Sequence, residues 1–185
     1  MSENQRVRLS KQLLRQSLVK LLSEKSIHKV SVREICDLAQ VNRSTFYKYY
    51  GSQYDLFHDM EEEILGHVNR YLHDEPTTMT GDLSQITKLV AFIGENAELC
   101  RIIINHNIDP KFPEALVNLP SLRLWIETHF RVEYSKAEME YVYGLVVNGG
   151  FSIIRMWLNK ENPESADVIA EILCSTISKL FPAAV

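Results

Sequence analysis

Apolar residues recur at three- and four-residue intervals along nearly the whole chain, the spacing of helices with one buried face. Over residues 10–24, Leu13, Leu14, Leu18, Leu21 and Leu22 fall on one such face while Lys11, Arg15 and Lys20 lie off it. After the loop KSIHKV comes SVREICDLA, in which Ser31 can cap a helix and Glu34, three residues on, can reach back to complete a capping box. The second helix is therefore predicted to be short and to start at Ser31, with Val32, Ile35, Leu38 and Ala39 inward and Arg33 outward. The stretch QVN then interrupts the pattern, and Asn42 is a good N-cap for RSTFYKYY, where Phe46 and Tyr50 keep helical spacing as inward anchors. Two short helices across a tight turn predict a helix-turn-helix.

Beyond it, QYDLFHDMEEEILGHVNRYLHD predicts a longer helix over residues 52–74, its apolar face running from Tyr54 and Leu56 to Tyr71 and Leu72. The run HDEPTTMTGD, rich in Pro, Gly and Thr, marks its end. Further helices are expected over 83–96, 97–105 and 112–134, the last broken near Pro120. The segment KAEMEYVYGLVVNGGFSIIRMWLNK is apolar nearly all round and must be covered on more than one side, with Gly144, Gly149 and Gly150 permitting close helix approach. In the final helix Asn162 is the expected cap and Pro163 the first turn, followed by a stripe of Ile169, Ile172, Leu173, Ile177 and Leu180. These last two helices form either the internal core of a monomer or a dimer interface. The expected fold is all-α, about nine helices, with a three-helix head and a helical remainder.

Composition narrows the classes without choosing among them. The 185 residues are 45% hydrophobic and 24% charged with few glycines and prolines, which excludes disordered, collagen-like and repeat architectures. The longest apolar stretch, residues 141–154, is interrupted by Asn148 and two glycines, so no membrane span is expected. Charges recur through MSENQRVRLSKQLLRQ, where a secretory signal would have an apolar core, and a cytoplasmic protein is expected. Cys36, Cys100 and Cys174 are widely spaced among apolar neighbours and are expected as buried free thiols. His58 with Glu61 and Glu62, or Glu63 with His67, have helical ligand spacing but no dense donor set, and a solvated helix face accounts for them better than a metal. No nucleotide loop or nucleophile motif occurs, and neither a catalytic residue nor a cofactor is expected.

Charge changes the picture more. Residues 1–54 hold 10 Lys and Arg against 4 Asp and Glu, a net +6, whereas residues 55–185 carry −10. A basic head on an acidic body suggests that only the head meets a polyanion, the alternative being a basic surface with no partner. The outer face of the third helix crowds Arg43, Ser44, Thr45, Tyr47, Lys48 and Tyr49 into seven positions. These are donors suited to phosphates and base edges in a major groove, or else a tyrosine-rich packing face with solvated charges.

The run SVREICDLAQVNRSTFYKYYGSQYDLF resembles the DNA-binding domain of the TetR/AcrR transcriptional regulators, the resemblance extending over about residues 8–57. Val32, Ile35, Ala39, Val41, Thr45, Phe46, Tyr47, Tyr50 and Leu56 match the family pattern. By that resemblance Arg33, Arg43, Ser44, Thr45, Tyr47 and Lys48 occupy DNA-contacting places, with Asn42 and Tyr49 beside them. It implies a helix-turn-helix domain over residues 1–54 and an effector-binding and dimerisation domain over residues 55–185. It also implies a homodimer through the last two long helices, a palindromic double-stranded operator, and a repressor released by a small molecule. A body that binds a partner protein, in a regulator of either sign, and a helical enzyme with an incidental helix-turn-helix are the competing expectations. Trp125, His129, Tyr141, Tyr143, Phe151, Arg155 and Trp157 are aromatic and polar residues that could line a pocket, although aromatics at helical spacing are more often core. Three positions depart from the pattern: Gln40 stands for the turn glycine, Gln53 for a phosphate-directed lysine, and Tyr49 for a frequent histidine. Gln40 must either adopt a left-handed conformation at roughly 1 kcal/mol or alter the turn.

Overall fold

A computed structural model describes residues 3–73, 84–106, 111–129 and 134–180. Those residues form ten α-helices and one 3-10 turn: α1 (Glu3–Leu22), the turn Ile27–Lys29, α2 (Val32–Ala39), α3 (Arg43–Tyr47), α4 (Gln53–His73), α5 (Ser84–Glu95), α6 (Ala97–His106), α7 (Phe112–Val117), α8 (Pro120–His129), α9 (Lys136–Leu158) and α10 (Ala166–Leu180). The expected break near Pro120 divides α7 from α8, with proline at the first position of α8, where its missing N–H costs nothing. The segment between α4 and α5, residues 74–83, lies outside the described residues, as does the Pro182 stop. Among the described residues no helix is long and apolar enough to cross a membrane.

The helices gather into two compact units, Met1–Ile64 with Ile102–Asp109, and Leu65–Arg101 with Pro110–Val185. The core of the first is built from Leu14, Leu18 and Leu22 of α1, Ile35 and Ala39 of α2, Phe46 of α3, and Leu56, Phe57 and Met60 of α4, all buried. The capping box at Ser31 forms: Ser31 N–H donates to Glu34 Oε2 at 2.9 Å and Glu34 N–H to Ser31 Oγ at 3.3 Å. Leu38, expected inward, is exposed, and Cys36 occupies the buried position instead. With Ile35, Cys36 and Ala39 packed on one side of an eight-residue helix, the apolar arc is already full and Leu38 falls beyond its edge.

In the second unit α10 packs chiefly on α5, and also along α9, which touches α7 and α8. Val90, Cys100, Trp125, Ile126, Tyr143, Val147, Trp157, Ile169 and Leu173 are buried there. Trp125 Nε1 donates to the buried Gln85, Tyr143 OH to the Val117 carbonyl, and Trp157 Nε1 to the Glu164 carbonyl at 2.8 Å. The last bond corrects the start of α10. Asn162 and Pro163 precede the helix, the loop being held by Trp157 and by the Lys160–Glu164 ion pair, and Ser165 sits at the cap, accepting from Val168 N–H at 3.5 Å. Cys36 and Cys100 are buried and Cys174 half-buried, and none of the three is in a disulfide; burial pushes the Cys100 thiol up to about 12. Of the residues considered for a pocket, Trp125, Tyr143 and Trp157 are core, Tyr141 and Arg155 are exposed, Phe151 is half-buried, and the His129 side chain lies outside the described residues.

Candidate nucleic-acid interface

The turn between α2 and α3 depends on one backbone conformation. Gln40 ends α2 at φ 53° and ψ 39°, the one non-glycine residue with positive φ among the described residues. This left-handed residue lets Val41 N–H return to the Cys36 carbonyl at 3.0 Å and sends the chain into α3. The strained alternative is thus the one adopted. Asn42 stands at the N-cap of α3 with extended backbone, but its side chain makes no cap bond and is exposed to solvent. Its carbonyl accepts from Thr45 and Phe46 N–H instead, at 2.9 and 3.1 Å.

Phe46 anchors α3, wholly buried, and Tyr50 follows it one turn later with ring centroids 5.6 Å apart. Turning those two inward leaves Arg43, Ser44, Tyr47 and Lys48 exposed, Tyr47 at 58% with its ring edge-on to Phe46. Thr45 and Tyr49 are half-buried, since each sits beside an anchor on the flank of the outward face. Arg33 is exposed on α2 and pairs with Asp37 one turn away at 3.4 Å, both side chains largely in solvent. Among the described residues neither Arg43 nor Lys48 forms an ion pair; Lys48 Nζ lies 5.8 Å from the centre of the Tyr49 ring. An exposed row of guanidinium, ammonium, hydroxyl and amide donors on a short helix, with few local anions to satisfy them, is chemically fitted to phosphate oxygens and base edges.

What holds that face in place was not visible in the amphipathic pattern. Tyr50 OH donates to Asp59 Oδ2 of α4 at 2.7 Å, and the same oxygen accepts from Arg15 Nε and Nη2 of α1 at 3.2 and 2.6 Å. Arg15 also pairs with Glu63, and Lys11 Nζ stands 3.8 Å from Asp59 Oδ1. Partial burial pushes the Asp59 carboxyl up, but the bonds from Tyr50 and Arg15 outweigh it and hold the group below its usual range. Burial and the Asp59 bond raise the Tyr50 hydroxyl, keeping it a proton donor. The signal available in the sequence was the chemistry of Tyr50 itself, since a buried tyrosine hydroxyl takes a partner. At the far side of α2, Lys25 Nζ meets Glu34 Oε1 at 2.5 Å, and this bond, with those from Ser31, lowers Glu34 to about 2.

Residues 16–60 match the family model of bacterial regulatory proteins of the tetR family, and residues 83–179 match that of a transcriptional regulator C-terminal region. The chain belongs to the TetR family of transcriptional regulators. This TetR-family regulator carries a DNA-binding helix-turn-helix, and its family and structural neighbours are regulators rather than enzymes. It is 21% identical over 182 residues to the uncharacterized HTH-type transcriptional regulator YxbF of Bacillus subtilis (strain 168), covering 90% of this chain and 44% of that protein. The regulator therefore spans less than half the length of that curated relative. Among solved structures it resembles the dihydroxyacetone kinase operon activator DhaS, with a TM-score of 0.67 at 16% identity over 94% of this chain and 97% of that one. A TetR transcriptional regulator from Streptococcus agalactiae 2603V gives 0.64 at 15% identity over 95% and 97%. At such identities the likeness is one of fold.

In this TetR-family chain the fourth helix opens as a capped helix. Ser52 Oγ accepts from Asp55 N–H at 3.3 Å, and Asp55 Oδ2 reaches back to Gly51 N–H at 2.9 Å. Gln53, at the position of the family's lysine, is the first helical residue and half-buried. His58 lies 3.6 Å from both Glu61 and Glu62 on the same helix, and among the described residues no group of three or more His, Cys, Asp or Glu stands close enough to hold a metal. His67 stacks on Phe92 with ring centroids 4.4 Å apart.

Proposed function

We propose that this regulator binds a palindromic DNA operator as a homodimer and acts as a repressor that a small molecule releases. The observation that carries the DNA reading is the exposed donor row of α3 mounted on buried Phe46 and Tyr50. In this reading Arg33, Asn42, Arg43, Ser44, Thr45, Tyr47, Lys48 and Tyr49 are the contacts, residues 1–54 form the DNA-binding domain, and residues 55–185 form the regulatory and dimerisation domain. Arg43 is the candidate for bidentate bonding to guanine; Lys48 and the Tyr47 hydroxyl suit phosphates. The protein works where DNA is, in the cytoplasm.

The dimer reading is supported by a stripe on α9. Tyr141, Leu145 and Met156 are 81, 60 and 63% exposed and, with Gly149 between them, recur on one side of the helix. A Cβ at Gly144, Gly149 or Gly150 would meet nothing within 4 Å, so the close helix approach these glycines permit has no partner inside the described chain. Val168 and Ile172 add exposed apolar surface on α10. Trp157 and Leu173, buried within the chain, belong to its core rather than to this face.

An effector can move operator affinity only by binding the DNA-free and DNA-bound arrangements differently, with a coupling of typically ~1–3 kcal/mol. A second reading, in which a partner protein acts on the C-terminal domain of an activator, is favoured by one observation: the fold is shared with DhaS, which is named an operon activator. Selection from a random duplex library tests the first part of the proposal. The enriched sequence should be a palindrome with half-sites about one helical turn, ~34–36 Å, apart or somewhat further. Reciprocity tests the second: a small molecule that changes affinity for that duplex should have its own affinity changed by the duplex by the same factor. Binders that are all indifferent to DNA would transfer the regulatory role to a partner protein.

A further inference from the structure

We infer that Lys11, on α1 and outside the 16–60 region matched to the tetR family, is an additional DNA contact that binds a backbone phosphate close to the one taken by Lys48. The inference rests on the reading that α3 and the residues just after it face DNA. Two observations lead from that reading to α1.

Lys11 Nζ lies 5.8 Å from the centre of the Tyr49 ring and 5.2 Å from that of Tyr50, while Lys48 Nζ lies 5.8 Å from the same Tyr49 ring. Tyr49 thus brings together two ammonium groups that sit 37 residues apart in sequence, on α1 and at the end of α3. Their separation cannot exceed the sum of the two ring distances, within the span of a few successive phosphates, which recur about every 3.4 Å of helix axis along one strand. The aromatic faces orient both ammoniums without neutralising them.

The second observation concerns how firmly Lys11 is held. The anion beside it is Asp59, but the contact is long, 3.8 Å to Oδ1, and the Lys11 side chain is 33% exposed. Asp59 is engaged chiefly through its other oxygen, by Tyr50 at 2.7 Å and Arg15 Nη2 at 2.6 Å. A half-exposed ion pair at such a separation is weak. A phosphate in reach offers the same ammonium a charge-assisted bond and releases a counterion, so the contact should exchange toward DNA.

Lys11 thus sets a cation from α1 against Tyr49 and Tyr50, the residues that follow α3 and Lys48. Asp59 is the positioning group: it fixes Tyr50 by its hydroxyl and Arg15 by two bonds, and so sets the ring over which the Lys11 ammonium lies.

The test uses the full chain, the duplex enriched from a random library, and a scrambled duplex of equal length. Affinities are measured at several salt concentrations for the wild type, Lys11→Gln, Lys11→Arg and Lys48→Gln. Lys11→Gln should weaken both duplexes by the same factor and lower the slope of log K against log[salt] by about 0.9 per head, as Lys48→Gln does. Lys11→Arg should restore the slope. Lys11→Met removes the charge while keeping an unbranched side chain of similar length, and should give the same slope change if Lys11→Gln proves unstable. A slope that falls for Lys48→Gln but not for Lys11→Gln or Lys11→Met would overturn the inference, leaving Lys11 as a partner of Asp59 alone. A wild type that enriches no duplex, or a Lys48→Gln slope equal to wild type, would instead count against the reading of α3 on which the inference rests.

Discussion

Gln40 is the residue at which local chemistry and the fold disagree most. A left-handed conformation costs a non-glycine residue ~1–2 kcal/mol, and the helix-turn-helix needs that conformation to bring Val41 N–H back to Cys36. Gln40→Gly should relieve it, and after the larger backbone freedom of glycine in the unfolded chain is subtracted, stability should rise by about 0.5–1 kcal/mol, read from urea unfolding. Gln40→Ala, with its Cβ retained, should show no such gain. Glu34 makes a prediction in pH. Its carboxyl is lowered from 4.5 to about 2 by the bond from Lys25 and those from Ser31. A group depressed on folding contributes stability above its unfolded value and loses it as the pH falls through the folded one. Thermal unfolding of wild type and Glu34→Gln should therefore differ at neutral pH and converge between pH 4.5 and 2. The capping box and the left-handed alternative at Gln40 were legible in sequence because both follow from bonds within a few residues. The Asp59 cluster was not, because Lys11, Arg15, Tyr50 and Asp59 come from three elements whose arrangement no local spacing specifies.

At the scale of elements, the same distinction separates what periodicity predicted from what it missed. Helix α2 starts behind its expected cap and α4 lies within a residue of the expected span at each end, whereas α1 begins at Glu3, seven residues before the expected start, and α3 ends at Tyr47, short of the expected Tyr50. Each has one apolar stripe, and Leu14, Leu18, Phe46, Leu56 and Met60 are all wholly buried. The all-round apolar character of α9 also proved informative: one side carries Tyr143, Val147 and Ile154 into the core while another shows Tyr141, Leu145 and Met156 to solvent. The single stripe expected on α10 divided in two, Ile169 and Leu173 turning inward and Ile172 and Leu180 outward. Its cap moved three residues, from Asn162 to Ser165, because Trp157 holds the Glu164 carbonyl, a contact seven residues long that a cap rule does not include. The exposed stripe of α9 is where the dimer proposal can be tested with least disturbance of the core. Leu145→Glu places a charge on a side chain that is 60% exposed in the single chain and should keep the helix content while shifting light-scattering mass from twice 21.4 kDa toward 21.4 kDa. A variant that remained dimeric would remove α9 from the interface.

For the whole molecule, the charge asymmetry acquires a meaning once the α3 donors are seen mounted on a braced scaffold. The net +6 of residues 1–54 raises affinity for any duplex, whereas sequence preference has to come from the few side chains that reach base edges. In the proposed reading α3 takes part in both, since Arg43 and Lys48 belong to that charge and the base-directed side chains project from the same helix. The decisive measurement is the affinity of the full chain for its selected duplex, compared between wild type and the combined Arg43→Ala, Tyr47→Ala, Lys48→Ala variant, with circular dichroism recording helix content. All three side chains project from the outer face without joining the buried core, so the variant should stay folded. It should lose at least the ~1–3 kcal/mol expected of one direct base contact, together with the preference over a scrambled duplex. A folded triple variant that retained full affinity and selectivity would contradict the account.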